Sequence, residues 1–204
     1  MLDRYAIAVL APPLRSIARL LARAGVGADA VSWAGFGIGL AAAAAITQRQ
    51  FALGLALLLA SRVADGLDGA VARLSVPTDR GAFLDIALDF IFYASIPLAF
   101  ALADPPANAL PAAVLLASFV GTASGFLAFA ALAERRGMTS AAYPAKGLYY
   151  LGGLTEATET IACFVAMCLW PQHFAWFAYG FAALCGLTIV SRLAAGWRSF
   201  DAGR

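Results

Sequence analysis

Histidine and lysine are almost missing from this chain of 204 residues: His173 and Lys146 each stand alone. A single imidazole excludes catalysis or metal binding built on paired histidines. Cysteine is scarce too. Cys163, Cys168 and Cys185 are odd in number, lie in apolar runs and form no CxxC pair, so a zinc site is excluded. They read as buried thiols acting as small hydrophobes. Charge is thin: charged residues are 13% of the chain, against roughly 25% in soluble domains. The net charge of +2 comes almost wholly from arginine, without a basic run, so no nucleic acid is expected as a partner. Alternating ten-residue segments are also lacking, which excludes a membrane β-barrel. Met1 to Ala24, with Pro12 and Pro13 and scattered arginines, does not read as a cleavable signal peptide.

What fills the space is apolar: 62% hydrophobic residues and a mean hydropathy of +0.81. Disorder needs the opposite composition. A chain of this size lacks the interior to bury so much apolar surface in water, so its solvent is lipid. Six segments have the length and character of spans: 30–47, 51–72, 81–103, 110–133, 148–170 and 174–194. Short separators with Pro77, Pro105-Pro106, Gly137 and Pro171 make sequence neighbours antiparallel neighbours. Ahead of them, Leu14, Ile17, Leu20 and Leu21 recur at helical spacing among Arg15, Arg19 and Arg23. The expected fold is an all-α integral membrane protein: an amphipathic interfacial helix over 1–26, then a six-helix bundle over 27–204, all one domain. Arg4, Arg15, Arg19, Arg23, Arg80, Arg135, Arg136, Lys146, Arg198 and Arg204 then share one side, with Arg49 on the other. That asymmetry predicts cytoplasmic termini. Gly35 and Gly39, and Gly121 and Gly125, are four apart. Such pairs serve close packing in one bundle or a seam between two copies.

An ionisable residue at the centre of a span costs roughly 2.5–3.5 kcal/mol on insertion scales, so it is a functional hypothesis. The second and third segments carry Asp65, Asp68, Asp85 and Asp89; the fifth adds Glu156 and Glu159. Asp65 and Asp68 are i,i+3 and Asp85 and Asp89 are i,i+4, so each pair shares a helix face. Folding the two helices antiparallel about Pro77 brings Asp65 level with Asp89 and Asp68 level with Asp85. Four such anions need protons or cations among them. Oxygen ligands without histidine or cysteine suit a hard cation, magnesium or manganese first, and two ions would balance four charges. Magnesium completes its shell with substrate phosphates, which points to a phosphate-bearing ligand. Gly66, Gly69, Gly81 and Ala72 keep side chains clear of the acids, and Arg73 stands where a guanidinium can clamp phosphate.

Asp65-Gly-Leu-Asp68-Gly69-Ala-Val-Ala72-Arg73, seven residues, Gly81, three residues, Asp85, three residues, Asp89 resembles the signature of the CDP-alcohol phosphotransferase family, DxxDGxxAR followed by GxxxDxxxD. Every fixed position matches. The run from Tyr149 through Glu156 to Thr160 is similar to a bacterial inner-membrane branch of that family. The resemblance implies a multi-pass enzyme of the bacterial inner membrane, working as a homodimer. It would move a phosphatidyl group from CDP-diacylglycerol to the hydroxyl of a small polar alcohol and release CMP. By the family's assignments, Asp65, Asp68 and Asp85 hold the divalent ions. Asp89 lies with them and is the catalytic base. Gly69, Ala72, Arg73, Gly81 and Ser32 line the nucleotide. At the entry to the first span the family has Pro-Asn-x-x-Thr; here Ala28-Asp29-Ala-Val-Ser32 keeps a hydroxyl and replaces asparagine with Asp29.

The acceptor is less legible. Arg135, Arg136 and Lys146 would suit a phosphorylated acceptor such as glycerol 3-phosphate, or only express positive-inside bias. Glu156 and Glu159 would pair with Arg62, or bind acceptor hydroxyls or an amine. Two other functions fit intramembrane acids: a carboxylate-lined ion transporter and a non-catalytic lipid-binding scaffold. A transporter should place its acids near the midplane within internal repeats; here they cluster toward one side, and no repeat is present.

Overall fold

A computed structural model describes residues 3–74, 78–137 and 154–201, with side chains from residue 11 onward. The elements formed by the described residues are all helical: α1 (Asp3–Arg23), α2 (Ala28–Thr47), α3 (Phe51–Ala72), α4 (Asp79–Ala103), α5 (Pro105–Arg135), α6 (Ala157–Leu169), a single 3-10 turn (Pro171–His173) and α7 (Phe174–Asp201). Four stretches are long and apolar enough to cross a membrane: α2, α4, α5 and α7 with its preceding turn. α3 matches them in length, with 22 residues, but carries Arg62, Asp65 and Asp68.

The apolar surface behaves as lipid solvation requires. Only 17% of the most apolar stretch of α5 is buried, although its mean hydropathy is 1.9. Trp176, Leu110, Val120 and Val190 all point outward. In water such faces would drive aggregation; in a bilayer they cost nothing.

Two ion pairs mark the ends of the bundle. At one end Arg80 in the first turn of α4 meets Asp29 in the first turn of α2, N–O 2.5 Å. At the other, Arg49 in the α2–α3 turn donates to the Ala103 carbonyl at 2.9 Å and pairs with Asp104 at 3.5 Å. α2 and α4 therefore run parallel, with α3 and α5 antiparallel to them, as the short separators predict. Asp104 caps nothing with its side chain, and Pro105 starts α5, where its missing N–H is not needed.

The core fills the half of the bundle near Arg49. Phe92, Phe100, Phe164, Phe174, Leu58 and Ile46 are fully buried there. α1 packs its Ala18, Leu14 and Leu21 onto Ala70, Val71 and Leu67 near the end of α3. Gly35, Gly39 and Gly121 resolve as packing positions within the chain: added Cβ atoms would meet Ala64 at 2.9 Å, the Phe92 ring at 2.6 Å and Ile189 at 2.6 Å. Cys168 and Cys185 are buried free thiols, as expected, while the free thiol of Cys163 is only half-buried.

The fifth expected span, 148–170, begins in residues outside those described. Its helix starts only at Ala157, after the described, non-helical residues 154–156, and has 13 residues, about 20 Å of helix.

Candidate active site: a carboxylate cleft in a helical bundle

At the end of the bundle marked by Asp29 and Arg80, α3 is in its last turns and α2 and α4 are in their first. Small residues keep these three helices close. Between them lies a narrow cleft lined by Ser32, Gly35, Phe36, Arg62, Asp65, Asp68, Asp85, Leu88 and Asp89. All four aspartates singled out from the sequence face this one cleft, so the antiparallel pairing of their helices is as expected.

Their arrangement is less symmetric than two level rungs. Asp65, Asp68 and Asp85 each offer an oxygen within 4.8 Å of the others, the only such group of metal-ligating side chains among the described residues. They grade from Asp68, buried, to Asp85, exposed. Asp89 stands outside that group. Its Oδ1 accepts from Nη1 of Arg62 at 2.6 Å, and the same Nη1 lies 3.5 Å from Asp65. The reason is the i,i+3 step from Arg62 to Asp65, which puts the arginine on the face of α3 that meets α4.

The neighbouring hydroxyls hold these charges in place. Ser32 Oγ donates to Asp68 Oδ2 at 2.5 Å, and lies within 3.2 Å of the Ala28 carbonyl. Ser32, the nucleotide candidate of the α2 entry, lines the cleft and orients a carboxylate there. Ser61, fully buried, donates to the Gly35 carbonyl at 2.8 Å and accepts from Arg62 Nη2 at 3.2 Å.

The remaining nucleotide candidates sit beyond the cleft lining. Gly69 lies one turn before the end of α3, and a Cβ there would lie 3.4 Å from Arg73 Nη1. Ala72 is the last residue of α3 and Arg73 caps it, exposed. Gly81 follows Thr78, whose hydroxyl caps α4 by accepting from the Gly81 N–H at 3.1 Å. A Cβ at Gly81 would lie 3.3 Å from that hydroxyl and 3.6 Å from Asp29 Oδ1, so the replaced family asparagine stands beside the loop into α4.

The acceptor candidates are scattered. Arg136 caps α5, donates to the Phe200 carbonyl at 3.1 Å and lies over the Phe200 ring, while Arg135 ends α5. Arg136 thus stands against the C-terminal part of α7. Lys146 lies outside the described residues. Glu156 and Glu159 do not lie well inside a span. Glu156 is the N-cap of α6 and Glu159 its N3 residue, closing a reciprocal capping box in which the Glu156 N–H donates to Glu159 at 3.2 Å. Two backbone donors that begin a helix are satisfied this way, which gives both glutamates a local task. Apolar periodicity hid that start, because the residues before Glu156 are as apolar as those after it.

Arg62, for which Glu156 and Glu159 were one possible pair of partners, instead pairs with Asp89 at the cleft. The signal was present: it precedes Asp65 by three, with Asp89 level across the seam.

The fold and the cleft define an all-helical, lipid-solvated protein that converges acidic side chains between three helices. The chain belongs to the CDP-alcohol phosphatidyltransferase family, whose profile matches residues 27–190. It is 47% identical to the inner membrane protein YnjF of Escherichia coli K12 over 197 residues, 97% of this chain and 96% of that one. Its fold is that of the Mycobacterium tuberculosis phosphatidylinositol phosphate synthase PgsA1. Against that protein with CDP-DAG bound, the TM-score is 0.73 at 23% identity over 90% of this chain and 93% of the other. Against its complex with manganese and citrate, the TM-score is 0.70 at 24% identity over 90% and 88%.

Proposed function

We propose that this protein transfers a phosphatidyl group from CDP-diacylglycerol to the hydroxyl of a small polar alcohol, releasing CMP. The observation that carries the reading is the triad of Asp65, Asp68 and Asp85 oxygens within 4.8 Å of one another. An all-oxygen donor set without histidine or cysteine fits magnesium or manganese, and these three residues would hold it. An ion bound there would supply positive charge against the diphosphate and the departing CMP.

The chain's own groups supply the rest. Ser32 fixes Asp68 by its hydrogen bond, so one ligand is oriented before anything binds. Gly69, Ala72 and Gly81 leave room for the nucleotide, and Arg73 at the exposed end of α3 clamps phosphate. Asp89 takes the proton of the acceptor hydroxyl. The hydroxyl oxygen forms a bond to the phosphatidyl phosphorus as the phosphorus–oxygen bond to CMP breaks. Holding both substrates at one cleft supplies much of the rate.

The placement of these groups supports a multi-pass protein of six spans, α2 to α7, in the bacterial inner membrane. α1 lies in the interface, and the cleft, with both termini, faces the cytoplasm. A water-soluble acceptor then reaches the mouth while the acyl chains stay in lipid. The chain is read as a homodimer, with one domain over 1–204. Glycerol 3-phosphate is the alternative acceptor, with Arg135, Arg136 and Lys146 as candidate contacts. Glu156 and Glu159 are candidates for a hydroxyl-rich or amine-bearing one.

Purified protein given labelled CDP-diacylglycerol, magnesium or manganese and a panel of alcohols is expected to release CMP with one acceptor and only with metal. Asp89→Asn should lower transfer by about 10²–10⁴-fold, the usual worth of a general base, while metal-dependent binding of CDP-diacylglycerol persists. CMP release that ignores metal, or an Asp89→Asn protein with unaltered turnover, overturns the assignment. Metal-dependent ion flux in vesicles without CMP release would favour the transporter.

A further inference from the structure

α1 turns three faces to three surroundings. Ala18, fully buried, packs on Ala70 and Val71 of α3, with Leu14 and Leu21 beside it. Ile17 and Leu20 point outward, 45% and 67% exposed. Arg15, Arg19 and Arg23 make the third face, and all three are exposed. They recur at i,i+4, so they line one side of the helix. No acid follows Asp3 on α1, and among the described residues no carboxylate pairs with these guanidiniums.

The seat of α1 on α3 is slight. Its buried members are Ala18, Ala70 and Val71, side chains that remove little apolar area from solvent. The bundle core is held by buried phenylalanines instead. Slight as it is, the seat lies at the cleft. A Cβ on Gly66, which follows Asp65 directly, would come within 3.2 Å of Leu14 Cδ1. α1 thus leans on the turn of α3 that carries Asp65 and Asp68.

We propose that the arginine face of α1 is a docking surface for the headgroups of anionic phospholipids, and that their capture holds α1 on α3 beside the cleft. Ile17 and Leu20 reach the acyl chains while the guanidiniums lie level with lipid phosphate. A zwitterionic headgroup brings no net charge to that face. An anionic one does, and its attraction falls off within a Debye length. Membrane charge thereby bears on the packing of the helix that carries the acids. The proposal goes beyond the transferase reading and does not depend on it.

The test uses the full-length protein. Native mass spectrometry in mild detergent compares bound dioleoylphosphatidylglycerol with dioleoylphosphatidylcholine, and hydrogen exchange follows the amides of α1 in nanodiscs of either lipid. Wild type is expected to favour phosphatidylglycerol and to exchange its α1 amides more slowly there. Each arginine is worth about fivefold at an anionic surface, so the preference should fall by about that factor for each of Arg15→Gln, Arg19→Gln and Arg23→Gln combined in one protein. The matching three lysine substitutions keep the charge and should keep most of the preference. Arg49→Gln, at the other end of the bundle, should leave it unchanged. Raising the ionic strength from about 0.1 M to about 1 M shortens screening from about 10 Å to about 3 Å and should erase it. Equal binding of the two lipids by wild type, a preference that survives the three glutamines, or one indifferent to salt overturns the docking surface. Amides of α1 that exchange alike in both lipids overturn its effect on the seat. Should the triple variant fail to fold, Arg19→Gln alone decides: a loss of about fivefold supports the proposal and a wild-type preference overturns it. CMP release enters none of these readouts, so failure of the transferase reading would leave them intact.

Discussion

The two ends of the helical bundle are built by opposite means, although α2, α3 and α4 run through both. Near Arg49 the helices meet through rings: Phe51 stacks on Phe100 with centroids 5.6 Å apart, and Phe100 on Phe174 at 4.7 Å. Near Asp29 the same helices meet through glycine, serine and charge. Gly35 and Gly39 let the backbones close in, Ser32 and Ser61 bridge them, and Arg62 spans from α3 to α4. The aromatic end fixes the register of the helices. The polar end can then hold mutually repelling carboxylates at set distances without being the source of stability. Stability and chemistry occupy different ends of one bundle, and substitutions should separate them.

The largest separation is expected from Phe100→Ala. Removing a fully buried ring that stacks on two others costs about 3–5 kcal/mol. Chemical unfolding in detergent should show that loss, while CMP release per folded molecule stays close to wild type. If activity fell with the unfolding midpoint unmoved, the two ends would not be independent and the comparison would break.

Much of this division was readable in the sequence, because its signals are strong and local. Asp65, Asp68, Asp85 and Asp89 fall at i,i+3 and i,i+4, and the few residues between α3 and α4 leave one way to face them. What was not readable depends on which neighbour a side chain chooses. Arg62 had two sets of acids to choose from, and only packing shows that α4 supplies its partner. Ser32 carries the hydroxyl of a nucleotide-binding element, yet α3 lies close enough for Asp68 to take it. Glu156 and Glu159 illustrate a different limit. Hydropathy averages over a window, so it cannot see a helix start inside an apolar run, although E-x-x-E spacing allowed the capping box. The distinction between packing glycines and a dimer seam at Gly35 and Gly39 also needed the third helix, since Phe92 comes from α4.

Ser32→Ala sharpens the comparison at the polar end. The substitution removes the 2.5 Å hydrogen bond to Asp68 and leaves the packing of α2 nearly intact. Loss of a partner that orients a metal ligand typically costs about 10–100-fold in metal affinity or activity. Titration with Mn2+ and the metal dependence of CMP release should shift together by that amount, with little change in unfolding. Ser32→Thr, which keeps the hydroxyl, should restore most of it. An unfolding loss like that of Phe100→Ala would instead assign Ser32 to the scaffold.

The smallest effects come from the two ion pairs that close the bundle, and they discriminate most finely. Arg49 and Asp104 are 63% and 44% exposed in their side chains; Arg80 is 77% exposed and Asp29 29%. Each pair is solvated enough that Arg49→Ala or Arg80→Ala should cost less than about 1 kcal/mol in unfolding. Arg49→Ala also removes a hydrogen bond to the Ala103 carbonyl, so of the two it should weigh slightly more on stability. Their effects on function should differ in kind. Removing Arg49 touches the aromatic end alone and should leave transfer unchanged. Removing Arg80 leaves Asp29 uncompensated beside Gly81, where the diphosphate of the lipid substrate is read to approach. Two anions then face each other at the mouth, so KM for CDP-diacylglycerol should rise by a few-fold, about what one exposed charge is worth. Added salt should shrink that rise, because screening weakens repulsion between exposed charges. Equal effects of both variants on KM would mean that the ends of the bundle communicate, whereas a salt-sensitive effect confined to Arg80 would place the nucleotide entrance at the junction of α2 and α4.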